Sequence, residues 1–231
     1  MPRTSQGKYV TQASKVFQEG DDNWHAGRYD EARSCYEKAA GLYNDSGDTE
    51  GEAFALSRLG ELELSLENYE AASAALNASV ELVKNFVDGQ NTYGDALIKL
   101  SKVQAAAGNT DEAIATVRRA QEVLSAIGNR DLLGDAYDHE AYVYLMLNRE
   151  DDASEAYRKA ADLFEQDGNS LKEASTLRAI ARIEMKNKNY DVAHDLLEKC
   201  RNLYRENGDL LGEASALCAR MHFSLDRVVG L

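Results

Sequence analysis

The chain has 231 residues, one proline, sixteen glycines, three cysteines and a formal net charge of −14. So little Pro and Gly excludes collagen-like and low-complexity chains, and three Cys cannot build a disulfide framework. The acidic balance argues against a protein that gathers nucleic-acid phosphates. No run of ~18 apolar residues is present to span a membrane, and the opening MPRTSQGKYVTQ holds no apolar signal segment. A cytoplasmic protein with reduced thiols is expected.

The only proline is Pro2, so residues 3–231 carry no proline break. Residues 1–8, with Arg3 and Lys8 and no apolar run, read as a mobile arm. A helical pair is predicted over 9–48, broken at Ala26-Gly27-Arg28 and ended at Gly47-Asp48. A second fills 49–89, with breaks at Glu67-Asn68 and Asp88-Gly89. A third fills 90–129, broken at Ala107-Gly108-Asn109 and ended at Gly128-Asn129. A fourth fills 130–169 (Asn148-Arg149, then Gly168-Asn169), and a fifth fills 170–209 (Lys188-Asn189, then Gly208-Asp209). Gly, Asn and Asp tolerate the left-handed backbone that ends a helix. Residues 210–231 read as a capping helix and tail, with Val228, Val229 and Leu231 expected at the surface.

The units keep one phase. Ala32, Ala72, Ala113, Ala153 and Ala193 are spaced 40, 41, 40 and 40 apart. Twelve residues before them stand Gly20, Gly60, Ser101, Ala141 and Ala181; seven after stand Ala39, Ser79, Ala120, Ala160 and Cys200. Small side chains recur where helix backbones approach closely. Larger apolar columns share the phase, among them Tyr36, Leu76, Val117, Tyr157 and Leu197. Within a unit the apolar positions fall three, four or seven apart, the face of a 3.6-period helix.

These columns resemble the tetratricopeptide repeat family. The strings Gly27-Arg-Tyr-Asp-Glu-Ala-Arg-Ser-Cys-Tyr-Glu-Lys-Ala39 and Gly108-Asn-Thr-Asp-Glu-Ala-Ile-Ala-Thr-Val-Arg-Arg-Ala120 carry its signature. The usual repeat is 34 residues with a Pro after the second helix; here the unit is about 40 and a Gly-Asp or Gly-Asn corner replaces the Pro. That longer variety resembles the repeats of LGN and Pins, kinesin light chains and bacterial quorum-peptide receptors. The LGN-type asparagine is replaced by Asp21, Glu61, Lys102, Tyr142 and Arg182. Phe17 and Asp21 stand where a chaperone-binding carboxylate clamp would begin, so chaperone C-termini are not expected ligands.

The resemblance implies an all-α, right-handed α-solenoid of five helix-turn-helix repeats plus a C-terminal capping helix, binding ligands in a groove lined by the first helices. Helical phase nominates Phe17, Trp24, Phe54, Arg58, Lys99, Lys102, Asp138, Tyr142, Arg178, Arg182 and Lys186 as groove residues. Arg178, Arg182 and Lys186 share one stripe at a spacing of four. The charge is uneven: −5 over 51–90, −8 over 131–170, and +1 over both 91–130 and 171–231. Lys99, Lys102, Arg178, Arg182 and Lys186 then read as basic islands in an acidic body. A groove of this kind would take an acidic segment at its C-terminal end and apolar anchors on Phe17, Trp24 and Phe54, which fixes ligand direction.

Chemistry is not expected. His25, His139, His194 and His222 show no metal spacing and no HExxH or CxxC occurs. Cys35, Cys200 and Cys218 read as small apolar residues, and no phosphate loop is present. The function expected is a non-enzymatic protein- or peptide-binding scaffold or adaptor, with no cofactor or metal, no nucleic acid and no membrane; the oligomeric state is left open between a monomer, which is favoured, and a dimer closed by the C-terminal tail. The alternatives are a structural subunit or assembly factor, or a sensor of a small signalling peptide.

Overall fold

The computed structural model describes the backbone of residues 3–229 and the side chains of residues 11–219. Every described element is helical. The chain forms two compact units, Met1–Ile127 and Gly128–Leu231. The first holds α1 (Arg3–His25), α2 (Tyr29–Ser46), α3 (Thr49–Ser65), α4 (Tyr69–Val83), α5 (Gln90–Ala106) and α6 (Thr110–Ile127). The second holds α7 (Arg130–Met146), α8 (Glu150–Asp167), α9 (Ser170–Lys186), α10 (Tyr190–Glu206) and α11 (Leu210–Val229). The expected arm over 1–8 overlaps the start of α1, and its side chains lie outside the described residues. So do those of Val228, Val229 and Leu231.

The small-residue columns explain the pairing. Ala32, Ala72, Ala113, Ala153 and Ala193 are all fully buried, each at the second helix of its pair. A Cβ added at Gly60 would sit 2.5 Å from Leu76 Cγ, so α3 and α4 meet at a distance that excludes even alanine without a shift. Two members of the columns are buried hydroxyls that need acceptors. Ser79 donates to the Ala53 carbonyl and Ser101 to the Ala113 carbonyl, both at 2.7 Å.

The corners follow from backbone chemistry. Gly47, Gly168 and Gly208 take φ of 73°, 76° and 71°. The next residue then caps the following helix: Asp48 accepts from Gly51 N–H at 2.9 Å, Asn169 from Lys172 N–H at 3.3 Å and Asp209 from Gly212 N–H at 2.9 Å. One dipeptide thus ends one helix and begins the next. The corner at Asp88-Gly89 departs from this expectation. Gly89 sits at φ −92°, and α4 stops at Val83, leaving a six-residue connection. Glycine is needed there for space: a Cβ would meet Phe86 Cδ1 at 2.6 Å.

Candidate functional site

In the first unit α1, α3 and α5 present the same two positions three residues apart: Gln18 and Asp21, Arg58 and Glu61, Lys99 and Lys102. The acid of one helix meets the base of the next. Arg58 donates Nη2 and Nε to Asp21 Oδ1 at 2.7 and 3.2 Å, and Nη1 to Glu61 at 3.1 Å. Lys99 Nζ lies 3.3 Å from Glu61 and 2.7 Å from Asp95. Tyr36 of α2 donates its hydroxyl to Asp21 at 2.6 Å. Burial works against the Arg58 charge, but Asp21 and Glu61 outweigh it and hold the guanidinium above its ordinary value. Burial and then the Asp21 bond keep the Tyr36 phenol protonated. The result is a half-buried ladder of alternating charge across three helices, a network rather than an isolated surface pair.

Aromatic rings pack on this ladder. The Arg58 guanidinium lies 4.7 Å over the Trp24 ring, within cation–π range. Phe17 sits between Tyr36 at 5.5 Å and Phe54 at 5.2 Å. Phe17, Trp24, Phe54 and Arg58, nominated separately from the sequence, therefore form one cluster, in which Phe54 is 44% exposed. Beside it Trp24, Leu64, Leu76, Lys99 and Lys102 line a cleft of about 280 Å³. Lys102 is exposed and makes no ion pair to a described residue.

The second unit uses its acids differently. Lys172 of α9 pairs with Asp131 at 2.8 Å and Asp135 at 2.7 Å on α7. Thr176 donates to Asp138 at 2.9 Å. The acidic cluster is thus answered internally by α9, by residues the sequence reading did not single out. Arg178 donates to Ser215 of α11 at 2.6 Å, and Lys186 is ion-paired with Glu150. Arg182 is exposed and makes no hydrogen bond or ion pair to a described residue.

Arg182 borders a cleft of about 470 Å³, lined also by Tyr142, Leu145, Met146, Asn148, Glu150, Tyr157, Ala179, Ile183 and Lys186. Tyr142 is 53% exposed and stacks on His139 with centroids 6.2 Å apart. Burial, then the nearby Asp138 charge, pushes the Tyr157 phenol up to about 12, and Arg182 pulls the other way. Tyr142, Arg182 and Lys186 of the nominated residues share this cleft; Asp138 and Arg178 are held by Thr176 and Ser215 beside it. By repeat phase Tyr157 falls in a packing column, and Ala179 is not among the nominated residues. The readable signal was Ala179 itself, a methyl in the column that holds Arg58 and Lys99.

No metal site is assembled among the described residues. No group of three His, Cys, Asp or Glu side chains stands close enough to hold an ion. Cys200 is fully buried in the small-residue column. Burial pushes its thiol up to about 11, against the pull of Arg178. Among the described residues no helix is long and apolar enough to cross a membrane.

A family model described as tetratricopeptide repeat matches residues 13–85, and one described as soluble NSF attachment protein matches residues 67–210. No curated protein matches the chain. Among solved structures, the apo form of RapI aligns with a TM-score of 0.73 at 16% identity, covering 86% of this chain and 72% of that one. Aspartyl phosphate phosphatase F from Bacillus subtilis aligns with a TM-score of 0.82 at 14% identity over 93% of this chain, which spans 56% of the phosphatase. A Rap protein complexed with Competence and Sporulation Factor aligns with a TM-score of 0.70 at 13% identity over 91% of this chain and 64% of its own. At these identities the likeness is one of fold. With the longer match covering more than half the sequence and a repeat model matching at the N-terminal end, the chain is a tetratricopeptide-repeat protein that belongs to the family described as soluble NSF attachment protein.

Proposed function

We propose that this chain is a non-enzymatic cytoplasmic scaffold or adaptor that holds a protein or peptide segment against its first helices. The observation that carries this reading is the pair of clefts, one in each unit, lined by first-helix residues nominated from repeat phase. Each combines an apolar floor with a cation that has no ion-pair partner among the described residues, Lys102 in the first and Arg182 in the second. Sites of a few hundred Å³ with few polar groups suit a ligand side chain. The fold is shared with a Rap protein solved with a bound factor, which supports a peptide ligand. The phosphatase comparison contributes the fold alone.

The match to an attachment-protein model over residues 67–210 favours a second reading, an assembly subunit with a large permanent interface. The two differ in what ligand does to stability. A reversible peptide raises the melting temperature progressively with its concentration, whereas a permanent subunit is oligomeric or insoluble when alone.

The test is affinity capture with amine crosslinking and mass spectrometry. Partner crosslinks are expected on Lys102 and Lys186 of the first helices. Crosslinks confined to Lys38 and Lys159 of α2 and α8 would place the partner elsewhere and overturn the reading.

A further inference from the structure

The two columns that form the first unit's ladder change character in the second. In the first unit an acid at one position is answered by a base on the next first helix: Asp21 by Arg58, and Glu61 by Lys99. In the second unit the corresponding pair between α7 and α9 is Tyr142 and Ala179. Neither carries charge, and alanine leaves unfilled the volume that an arginine or lysine stem would occupy. That volume belongs to the cleft of about 470 Å³. One turn along α9, the acid column holds Arg182, a base, with Ala179 where a charged neighbour stands in α3. The cleft therefore has a guanidinium without an ion-pair partner among the described residues, while its lining carboxylate, Glu150, is paired with Lys186. It also has the Tyr157 phenol, which makes no hydrogen bond to a described residue. Its equivalent Tyr36 donates to the Asp21 carboxylate.

We infer that the second unit's cleft binds a carboxylate side chain, Asp or Glu, of a partner peptide, seated between Arg182 and the Tyr157 hydroxyl. This rests on the scaffold reading above and names the ligand chemistry of one of its clefts. The first unit shows the same chemistry satisfied from within: Asp21 accepts from a tyrosine hydroxyl and an arginine at once, with Phe17 and Trp24 on the same face of its helix. An acidic side chain beside a large apolar residue has that form. Leu145, Met146 and Tyr142 supply the apolar wall for the neighbour, and a guanidinium with a phenol supplies charge-assisted donors. Tyr157 titrates far above neutral pH, so it is a donor under working conditions. Lys186, at the rim, is already paired with Glu150, so the carboxylate's partner is Arg182.

The probe is a random dodecapeptide library displayed on phage and selected on the full chain. Enriched binders are resynthesised with acetylated and amidated ends. The expected result is Asp or Glu beside a large apolar residue. The peptide loses about tenfold or more in affinity on Glu→Gln substitution, as befits a charged hydrogen bond. Arg182→Gln and Tyr157→Phe each weaken binding, Ala179→Arg fills the cleft and removes it, and Lys38→Gln on the exposed face of α2 leaves it unchanged. Circular dichroism on Arg182→Gln, an exposed position, confirms that the fold is intact. Binders indifferent to Arg182→Gln, without an acidic residue, or dependent on a free terminal carboxylate would overturn this inference and leave the scaffold reading standing. A library that yields no binder would count against both.

Discussion

At the residue scale, the turns inside the helical pairs show where sequence and backbone preference part. All five put one residue in the left-handed region, at positions 27, 67, 108, 148 and 188. Two are glycine; the others are Glu67 (φ 61°), Asn148 (φ 56°) and Lys188 (φ 62°). A left-handed residue with a Cβ costs about 1–2 kcal/mol, less for Asn. The surrounding bonds impose it: Asn189 N–H reaches back to the Glu184 carbonyl at 2.9 Å and Lys188 N–H to Met185 at 3.1 Å, a Schellman closure. Lys188→Gly is therefore expected to stabilise by up to about 1 kcal/mol, after the entropy that glycine adds to the unfolded chain. Urea denaturation checks this, and a loss of stability would contradict the strain. The breaks themselves were legible as polar pairs at fixed spacing. That a lysine and a glutamate would adopt positive φ was not, because the helix ends impose it against local preference.

At the element scale, buried carboxylates lock first helices to their neighbours. Glu63 of α3 accepts from Arg33 of α2 through both carboxylate oxygens and from Asn68 at 2.8 Å. Glu184 of α9 repeats the pattern with Arg158 at 2.7 Å and Asn189 at 2.8 Å. Arg33 above all, then Asn68, holds the Glu63 carboxyl below its ordinary 4.5 despite burial. A carboxyl with a lowered folded value contributes stability in full above about pH 4.5, lost as pH falls through that lowered value. At pH 7 Glu63→Gln is expected to destabilise by about 1–3 kcal/mol, and the gap to the parent chain should close on acidification toward pH 3. A gap constant with pH, in chemical denaturation at both values, would mean the charge is not what matters. The helices and most corners were readable, because small columns and Gly-Asx dipeptides encode them locally. The Glu63 and Glu184 locks join residues 26 to 30 apart, and one sequence gives no sign of such pairing. The Asp88-Gly89 corner was read as left-handed, because composition does not separate a glycine chosen for φ from one chosen for the Phe86 contact.

At the scale of the whole molecule, the −14 charge is a surplus of acids, and most of the basic islands within it are already engaged. Of the bases read as islands, Lys99 is tied to Glu61 and Asp95, Arg178 to Ser215 and Lys186 to Glu150. Lys102 and Arg182 have no ion pair to a described residue, and each stands at a cleft. Repeat phase nominates a face; side-chain geometry shows which of its cations are spent. The family and all-α architecture were legible from residue 9 onward, whereas ligand identity is not written in helix packing. The central claim is that a partner is held on the first-helix face around these free cations. It is tested most directly by the affinity of a captured partner for the parent chain and for Lys102→Glu combined with Arg182→Glu, with helicity followed by circular dichroism. The account predicts unchanged helicity and a loss of at least about 100-fold, or ~3 kcal/mol, because a carboxylate would then stand at each cleft in place of its cation. Undiminished binding by the doubly reversed chain would contradict it.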